Sequence, residues 1–164
     1  DIEERKSFSD ILYSEHSAMP VFVDQKTSDL HYNGFSNRYS NAYFAYNFIF
    51  STIWPLFHYL SADININEDY WEGYKRTNEI FADAIAKVAL DGDMIWIHDY
   101  HLMLLPEMLR LAVKKLKKSV RIGFFLHIPF PTSEVFRYGF NIISTENFIL
   151  VEFCLIEKKF LKEF

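Results

Sequence analysis

Two short apolar segments, each followed at once by polar residues, constrain the fold of this chain most strongly. The first covers residues 94–97 and the second covers residues 122–126. Both have the length of a buried strand and are rich in the β-branched and aromatic residues that strands favour. Between them, residues 102–118 place apolar side chains at the spacing of a helix with one buried stripe: Leu105, Met108, Leu109, Ala112 and Leu116. A helix of this length connects parallel strands, so both strands should end at the same edge of one sheet.

Patterns elsewhere extend this unit into an alternating order of elements. Residues 3–13 and 69–90 each predict a helix, and the Asp-Gly pair that follows residue 90 ends the second one. Residues 20–23 are rich in valine and phenylalanine and predict another strand. Trp96 lies inside the first strand of the central unit and is predicted to belong to the core. The order strand, helix, strand, helix, strand indicates a parallel sheet of the α/β class.

Composition restricts the class of protein. A chain of 164 residues can form one domain with a sizeable core, and 50% hydrophobic with 18% aromatic residues excludes a disordered chain. The net charge of −5 argues against a nucleic-acid surface. Four lysines within residues 114–118 are explained by the end of the predicted helix, where cations complement the helix dipole.

The sequence carries no signal for export or for a membrane. No apolar run approaches the roughly 18 residues that a membrane span requires, and the charged residues 1–6 lack a signal-peptide pattern. Cys154 is the single cysteine, which favours a reducing compartment and a cytoplasmic location. The chain does not begin with methionine, which suggests a start inside a longer protein.

Polar residues at the two predicted strand ends form the candidate site. Asp99 follows the first strand, where its carboxylate can accept strong hydrogen bonds from hydroxyl groups or can cap the next helix. His98 and His101 flank Asp99 and are expected to support the strand ends, and His127 closes the second strand. These four residues could instead bind zinc or iron. We expect no metal, because successive strand residues point to opposite faces and separate His98 from Asp99.

Three blocks of the sequence resemble one enzyme family. Residues 93–110, DMIWIHDYHLMLLPEMLR, and residues 121–134, RIGFFLHIPFPTSE, are similar in order and spacing to the trehalose-phosphate synthases. Residues 32–37 and 51–59 resemble the block that precedes them in that family. The resemblance implies a Rossmann-like parallel sheet in the N-terminal half of a two-domain GT-B glycosyltransferase. The implied reaction is the retaining transfer of glucose from UDP-glucose to glucose 6-phosphate, which gives trehalose 6-phosphate and UDP.

The resemblance also implies roles for particular residues. It assigns Asp99 to the hydroxyl groups of glucose 6-phosphate and assigns Tyr32 and Trp54 to the phosphate end of the same substrate. Taken alone, each of these two aromatic residues is better explained as part of the core or its rim. His127 is implied to lie near the transferred sugar, which it would orient and polarise as the catalytic group. No cofactor is implied, because UDP-glucose is a substrate.

Two segments depart from the family pattern and divide the chain. Residues 1–137 are interpreted as a partial, acceptor-side domain that carries a divergent insertion at 38–50, and residues 138–164 as a divergent tail of unknown structure. An Arg-Tyr pair stands at the start of each departure, at Arg38-Tyr39 and at Arg137-Tyr138, and both segments are rich in phenylalanine, tyrosine, isoleucine and asparagine. They are either translated introns or a lineage-specific insertion and tail.

The second half that the resemblance implies, with its nucleotide-sugar pocket, is missing from this sequence. The glycine-rich N-terminal loop and its phosphate-binding arginine are missing too. The 164 residues alone are therefore expected to be inactive. The alternative is a non-catalytic regulatory or scaffold subunit of a trehalose-synthesis complex, or an inert truncated product.

Overall fold

The structure, a computed structural model, describes residues 2–36, 52–59 and 67–132. Its elements, in chain order, are α1 (Ile2–His16), α2 (Gln25–Ser28), a π-helical segment (Asp29–Ser36), α3 (Ile53–Phe57), α4 (Glu68–Val88), β1 (Met94–His98), a 3-10 turn (Tyr100–Leu102), α5 (Leu105–Lys115) and β2 (Arg121–Phe125). The insertion at 38–50 and the tail at 138–164 lie outside the described residues, so their interpretation stays a prediction.

The central strand, helix, strand unit is confirmed. β1 and β2 pair in parallel, with a register that runs from Met94 opposite Arg121 to His98 opposite Phe125. The pairing continues one residue further, because the backbone amide of Asp99 donates to the carbonyl of Phe125 at 2.8 Å. The two polar strand ends therefore lie side by side, as parallel pairing requires.

The helix between the strands is shorter than predicted and its stripe is shifted. It is preceded by the 3-10 turn, begins at Leu105 and buries Leu105, Leu109 and Val113 at four-residue steps. Leu116 was expected in this stripe, but it is 51% exposed. It follows the last helical residue, and Lys117 turns the chain away with a φ of 58°. Because the helix ends early, Val113 is its last buried residue.

Helix α4 connects the two parts of the core. The side chain of Asn67 caps its start by accepting from the amide of Asp69 at 2.8 Å. Its last turns pack with β1, α5 and Val120, while Tyr74 in its first half packs with α3 and Met103. At Gly73 the helix approaches the π-helical segment so closely that a Cβ there would collide with the Cβ of Leu30. Glycine therefore permits this contact between α4 and the segment that carries Tyr32.

Two predictions about strands are wrong. Residues 20–23 form no strand. In the described ranges the sheet consists of β1 and β2, and residues 20–23 pair with neither of them. Trp96 was assigned to the core but is 54% exposed. Side chains alternate along a strand, so Ile95 and Ile97 pack with the helices while Trp96 occupies the opposite face. There its indole ring covers Gly123, where a Cβ would collide with the ring.

Helix α1 lies at the surface, and none of its residues is buried. A shallow depression there is lined by Glu3, Lys6, Ser7, Asp10, Ile11 and Ser14, all from this one helix. It is a surface feature of α1, and not a cleft at the strand ends. Among the described helices, none combines the length and the apolar character needed to cross a membrane.

The lysines near the end of α5 have a role that the sequence did not reveal. Lys118 reaches across to α4, where its Nζ donates to the backbone carbonyls of Ala86 at 2.8 Å and Lys87 at 3.1 Å. The last carbonyls of a helix have no partner within the helix, and a cation there also complements the helix dipole. Lys118 therefore stabilises the end of α4 and ties it to the chain that enters β2.

Replacing Lys118 with methionine should lower the free energy of unfolding by about 1 kcal/mol, because the aliphatic stem stays while the cation at the end of α4 is lost. Urea unfolding followed by circular dichroism measures this change. Lys6→Met is the control, since Lys6 is exposed in the second turn of α1, away from the C-terminal end of that helix. Equal stability of the two variants would contradict the capping role.

Candidate active site at the strand ends

The ends of β1 and β2 bring two of the predicted histidines together. His98 Nδ1 lies 3.1 Å from His127 Nε2, and the two rings stack with centroids 5.3 Å apart. The ring of Phe125 stands edge-on to His127 at 5.0 Å. A hydrogen bond between two imidazoles needs one donor and one acceptor nitrogen, so it is lost when both rings are protonated. His98 therefore orients His127, whose catalytic role stays a prediction.

Asp99 occupies an unusual backbone conformation at the end of β1. Its φ of 69° and ψ of 170° fall in a region that is almost restricted to glycine and costs about 1–3 kcal/mol for other residues. Its carboxylate accepts from the amide of Tyr100 at 2.8 Å and so caps the 3-10 turn, whereas α5 begins after Leu104 and has no side-chain cap. A carboxylate has lone pairs for further donors, and the cap therefore leaves Asp99 able to bind hydroxyl groups. Strained residues of this kind cluster at active and ligand sites.

Tyr32 lies against the same turn. Its ring stacks on His101 with centroids 5.5 Å apart and an interplanar angle of 20°. It is carried by the π-helical segment, a geometry that is frequent at functional sites. Tyr32 is 45% exposed, so its ring forms part of the rim. His101 supports Tyr32 through its ring, and His101 Nδ1 is buried without a hydrogen-bond partner in the described part of the chain.

Trp54 lies on α3, where its ring stacks on His58 with centroids 3.9 Å apart. The last residue of α3, Phe57, positions this helix. Its ring centroid lies 5.8 Å from that of Tyr100 and 5.5 Å from that of Phe130. These contacts bring α3 to the turns that follow both strands. The distance between Trp54 and Tyr32 depends on these contacts of α3. The insertion at 38–50, which separates the two residues in the sequence, lies outside the described residues. The shared role of the two aromatic residues stays a prediction.

Three buried residues of the site were missed by the sequence analysis. Tyr74 and Asn78 on α4 and His31 beside Tyr32 hydrogen-bond to the turn that follows Asp99. The pattern over residues 69–90 is that of an amphipathic helix, in which the ring of Tyr74 fits the apolar face while its hydroxyl group does not. The four-residue spacing of Tyr74 and Asn78 was the available signal, since it places two polar groups on one helical face.

The metal alternative requires four residues to act as ligands: His98, Asp99, His101 and His127. Within the described ranges, no group of three or more His, Cys, Asp or Glu residues is arranged to hold a metal ion. The ring of His98 is paired with His127, while the Asp99 carboxylate binds the amide of Tyr100. The absence of a metal from the working site stays a prediction.

The comparisons with known proteins identify the family. The sequence pattern of glycosyltransferase family 20 matches residues 1–150. The chain belongs to glycosyltransferase family 20. The α,α-trehalose-phosphate synthase [UDP-forming] of Emericella nidulans is 50% identical over 135 residues, which cover 82% of this chain and 24% of that protein. The corresponding protein of Botryotinia fuckeliana is 52% identical over 134 residues, or 82% of this chain and 23% of that one. This family 20 chain thus spans about a quarter of these relatives.

Solved structures of the family confirm the predicted fold. An E. coli structure bound with UDP-2-fluoro glucose is 39% identical, with a TM-score of 0.56, and the match covers 70% of this chain and 22% of that one. An α,α-trehalose-phosphate synthase (UDP-forming) from Burkholderia xenovorans in complex with glucose-6-phosphate is 38% identical, with a TM-score of 0.55 over 68% of this chain and 21% of that one. The family 20 chain is therefore a Rossmann-like α/β part of a GT-B enzyme's N-terminal half, as the resemblance implied.

Burial affects the two histidines beneath the site. It lowers the pKa of His31, although the hydrogen bond to the carbonyl of His101 acts in the opposite direction. It also lowers the pKa of His101, against the attraction of the Asp99 carboxylate. Both effects favour the neutral rings in the folded chain.

The folded chain should therefore lose stability in mild acid. Below about pH 6.5, the usual histidine pKa, both histidines bind protons in the unfolded chain but stay neutral in the folded chain. The free energy of unfolding therefore falls as the pH decreases toward the lowered pKa values of the folded chain. His31→Gln keeps a side-chain donor for the His101 carbonyl and should flatten this dependence. Urea unfolding across this pH range tests it, with exposed His16→Gln as the control. An unchanged slope in His31→Gln would contradict the assignment.

Proposed function

We propose that this chain forms the acceptor side of a UDP-glucose-dependent glucosyltransferase that makes trehalose 6-phosphate and UDP from UDP-glucose and glucose 6-phosphate. The observation that carries the proposal is the strained Asp99 at the ends of two parallel strands, with Tyr32 stacked beside it on His101. Open α/β sheets bind ligands at this edge. The identity to UDP-forming trehalose-phosphate synthases supports the choice of substrates.

Acceptor binding follows from the chemistry of three side chains. The Asp99 carboxylate is a charged acceptor, and its hydrogen bonds to the sugar hydroxyls of glucose 6-phosphate are stronger than those between neutral groups. The Tyr32 hydroxyl and the Trp54 indole N–H are donors suited to the phosphate. The sugar would then rest over the turn after β1, with its phosphate toward the aromatic side chains.

His127 would act on the transferred glucose at the end of β2. Held by His98 at 3.1 Å, its ring can orient and polarise the sugar without freely rotating. Transfer would then depend on position and charge. The acceptor hydroxyl is held against the anomeric carbon while the departing UDP phosphate gains charge, which basic residues in the remaining part of the enzyme would neutralise.

No cofactor or metal takes part in this proposal, since UDP-glucose itself carries the group to be transferred. Hydrolysis of a glycoside would require two facing carboxyl groups. Among the candidate residues at the described strand ends, Asp99 is the carboxylate. A cytoplasmic location and an association with other subunits of a trehalose-synthesis complex are further parts of the proposal.

The second candidate is a non-catalytic subunit or an inert product of the same family. The matched part covers 24% of the Emericella nidulans relative, so these residues by themselves would lack a donor side. Under both candidates the acceptor side has the same geometry, and they differ in whether a donor side is supplied. Three experiments separate binding from transfer.

The 164-residue chain alone should transfer no glucose, because the contacts to the donor phosphates lie in parts of the enzyme that this sequence does not span. Incubation with UDP-glucose and glucose 6-phosphate, followed by chromatography of the products, tests this expectation. Trehalose 6-phosphate above a no-protein control would contradict it and would place the donor site within these residues.

Asp99→Asn should weaken the binding of glucose 6-phosphate to the chain by about ten- to a hundredfold, because hydrogen bonds to charged groups contribute roughly 1.5–3 kcal/mol. Chemical-shift titration by NMR measures the affinity. Asp83→Asn, on the exposed side of α4, is the matched control. Similar affinities of the two variants would exclude Asp99 from the acceptor site.

His127→Ala should lower kcat with little change in the KM for glucose 6-phosphate, because the ring is proposed to act on the transferred sugar. The measurement uses a hybrid in which this chain supplies the acceptor side and the Emericella nidulans relative supplies the remainder. Unchanged kinetics together with the loss of bound zinc or iron would establish the metal alternative instead.

A further inference from the structure

The turn that carries Asp99 is held from beneath by a buried tyrosine. The hydroxyl of Tyr74 donates to the carbonyl of Tyr100 at 2.7 Å and accepts from the amide of Met103 at 3.0 Å. Tyr74 is 0% exposed. Burial raises its pKa far above the usual value, so the hydroxyl remains protonated and keeps its donor. One side chain of α4 thus bridges the two ends of the 3-10 turn that follows Asp99.

Two more residues fix the middle of the same turn. His31 Nε2 lies 2.9 Å from the carbonyl oxygen of His101, and Asn78 Nδ2 lies 3.4 Å from that same oxygen. His31 also stacks on Tyr74 with ring centroids 5.3 Å apart and an interplanar angle of 11°. We call Tyr74, Asn78 and His31 the turn clamp. Its contacts come from two elements, α4 and the π-helical segment, that pack on each other at Gly73.

The strain at Asp99 needs such a clamp. A residue with a side chain holds a φ of 69° and a ψ of 170° only where surrounding contacts outweigh a cost of about 1–3 kcal/mol. The amide of Asp99 is fixed by Phe125 at 2.8 Å, and its carbonyl accepts from Leu102 at 3.3 Å. That second bond depends on the turn, which the Tyr74 hydroxyl closes at Tyr100 and Met103.

We propose that Tyr74 is a positioning residue of the acceptor site, whose hydroxyl holds the turn after β1 and thereby keeps Asp99 in the strained conformation that presents its carboxylate to the substrate. The effect on glucose 6-phosphate rests on the proposed function. The effect on the backbone of Asp99 does not, and it can be measured without substrate.

A purely structural role for Tyr74 makes a different prediction. Its ring packs among Ile53, Leu56, Phe57 and Met103, and this packing alone would explain its burial. Tyr74→Phe keeps the ring and removes the hydroxyl, leaving a buried carbonyl and a buried amide without their partner. If packing were the whole role, the variant would lose stability while Asp99 kept its conformation and its affinity for substrate.

The experiment compares wild-type, Tyr74→Phe and Tyr70→Phe chains of 164 residues, labelled for NMR. Tyr70 is the matched control, since it lies one turn earlier on α4 and is a partly buried neighbour of the same core. The backbone φ of Asp99 is read from its amide-to-Hα coupling and intraresidue nuclear Overhauser effect. Titration with glucose 6-phosphate gives the affinity.

We expect Tyr74→Phe to remove the positive-φ signature of Asp99, to speed hydrogen exchange at the amide of Met103, and to weaken glucose 6-phosphate binding by about tenfold. Tyr70→Phe should change none of the three. A folded Tyr74→Phe chain that keeps the positive φ at Asp99 overturns the proposal. If wild type binds no glucose 6-phosphate, the proposed function fails, and the φ and exchange measurements still decide the role of Tyr74.

A second variant covers the case in which Tyr74→Phe does not fold. Asp99→Gly accepts a positive φ without strain, so the turn then needs less support from the tyrosine. If Tyr74→Phe alone does not fold, adding Asp99→Gly should recover folding. If it does fold, Tyr74→Phe should lower the melting temperature less in the Asp99→Gly background than in the wild-type background. A double variant that stays unfolded, or an equal loss in both backgrounds, contradicts the proposal.

Discussion

The parallel pairing of β1 and β2 is the constraint on which the candidate site depends. Because parallel strands end at the same edge, the register from Met94 opposite Arg121 to His98 opposite Phe125 brings His98 beside His127 and Asp99 beside the carbonyl of Phe125. A slip of one residue would turn these side chains to the other face. The apolar residues between the strand and the helices prevent this slip, since Ile97, Leu105 and Leu109 are buried together.

Helix α4 transmits that constraint from the core to the turn after β1. Ala82 and Ala86 pack against α5 and Ile97, which sets the height of the helix relative to the sheet. Earlier on the same helix, Tyr74 and Asn78 then meet the backbone of the turn with polar groups. The Tyr74 hydroxyl has both a donor and an acceptor partner there, and a buried polar group that is satisfied in this way fixes a single arrangement. Apolar packing therefore positions the helix, and hydrogen bonding fixes the turn.

In the proposed function, the strained backbone of Asp99 links this architecture to sugar binding. A relaxed turn would leave the carboxylate free to turn toward solvent. In the structure it does cap Tyr100, and its backbone is fixed on both sides by Phe125 and Leu102. A preorganised charged acceptor need not be reoriented when a sugar binds, which is how fixed groups contribute to binding and to transfer.

The sequence by itself determined the α/β class, the two strands, the helix between them and the family, because these depend on local periodicity and on runs of matching residues. It also identified Asp99 and His127 at the strand ends, since parallel pairing follows from the length of the connection. The tertiary structure alone decided that Trp96 is exposed, that Val113 ends the buried stripe of α5, and that Lys118 caps α4. It also showed that the Tyr74 hydroxyl binds Tyr100 and Met103 in the turn after Asp99. Contacts between residues distant in sequence depend on how the helices pack, so they produce no periodic pattern in the sequence.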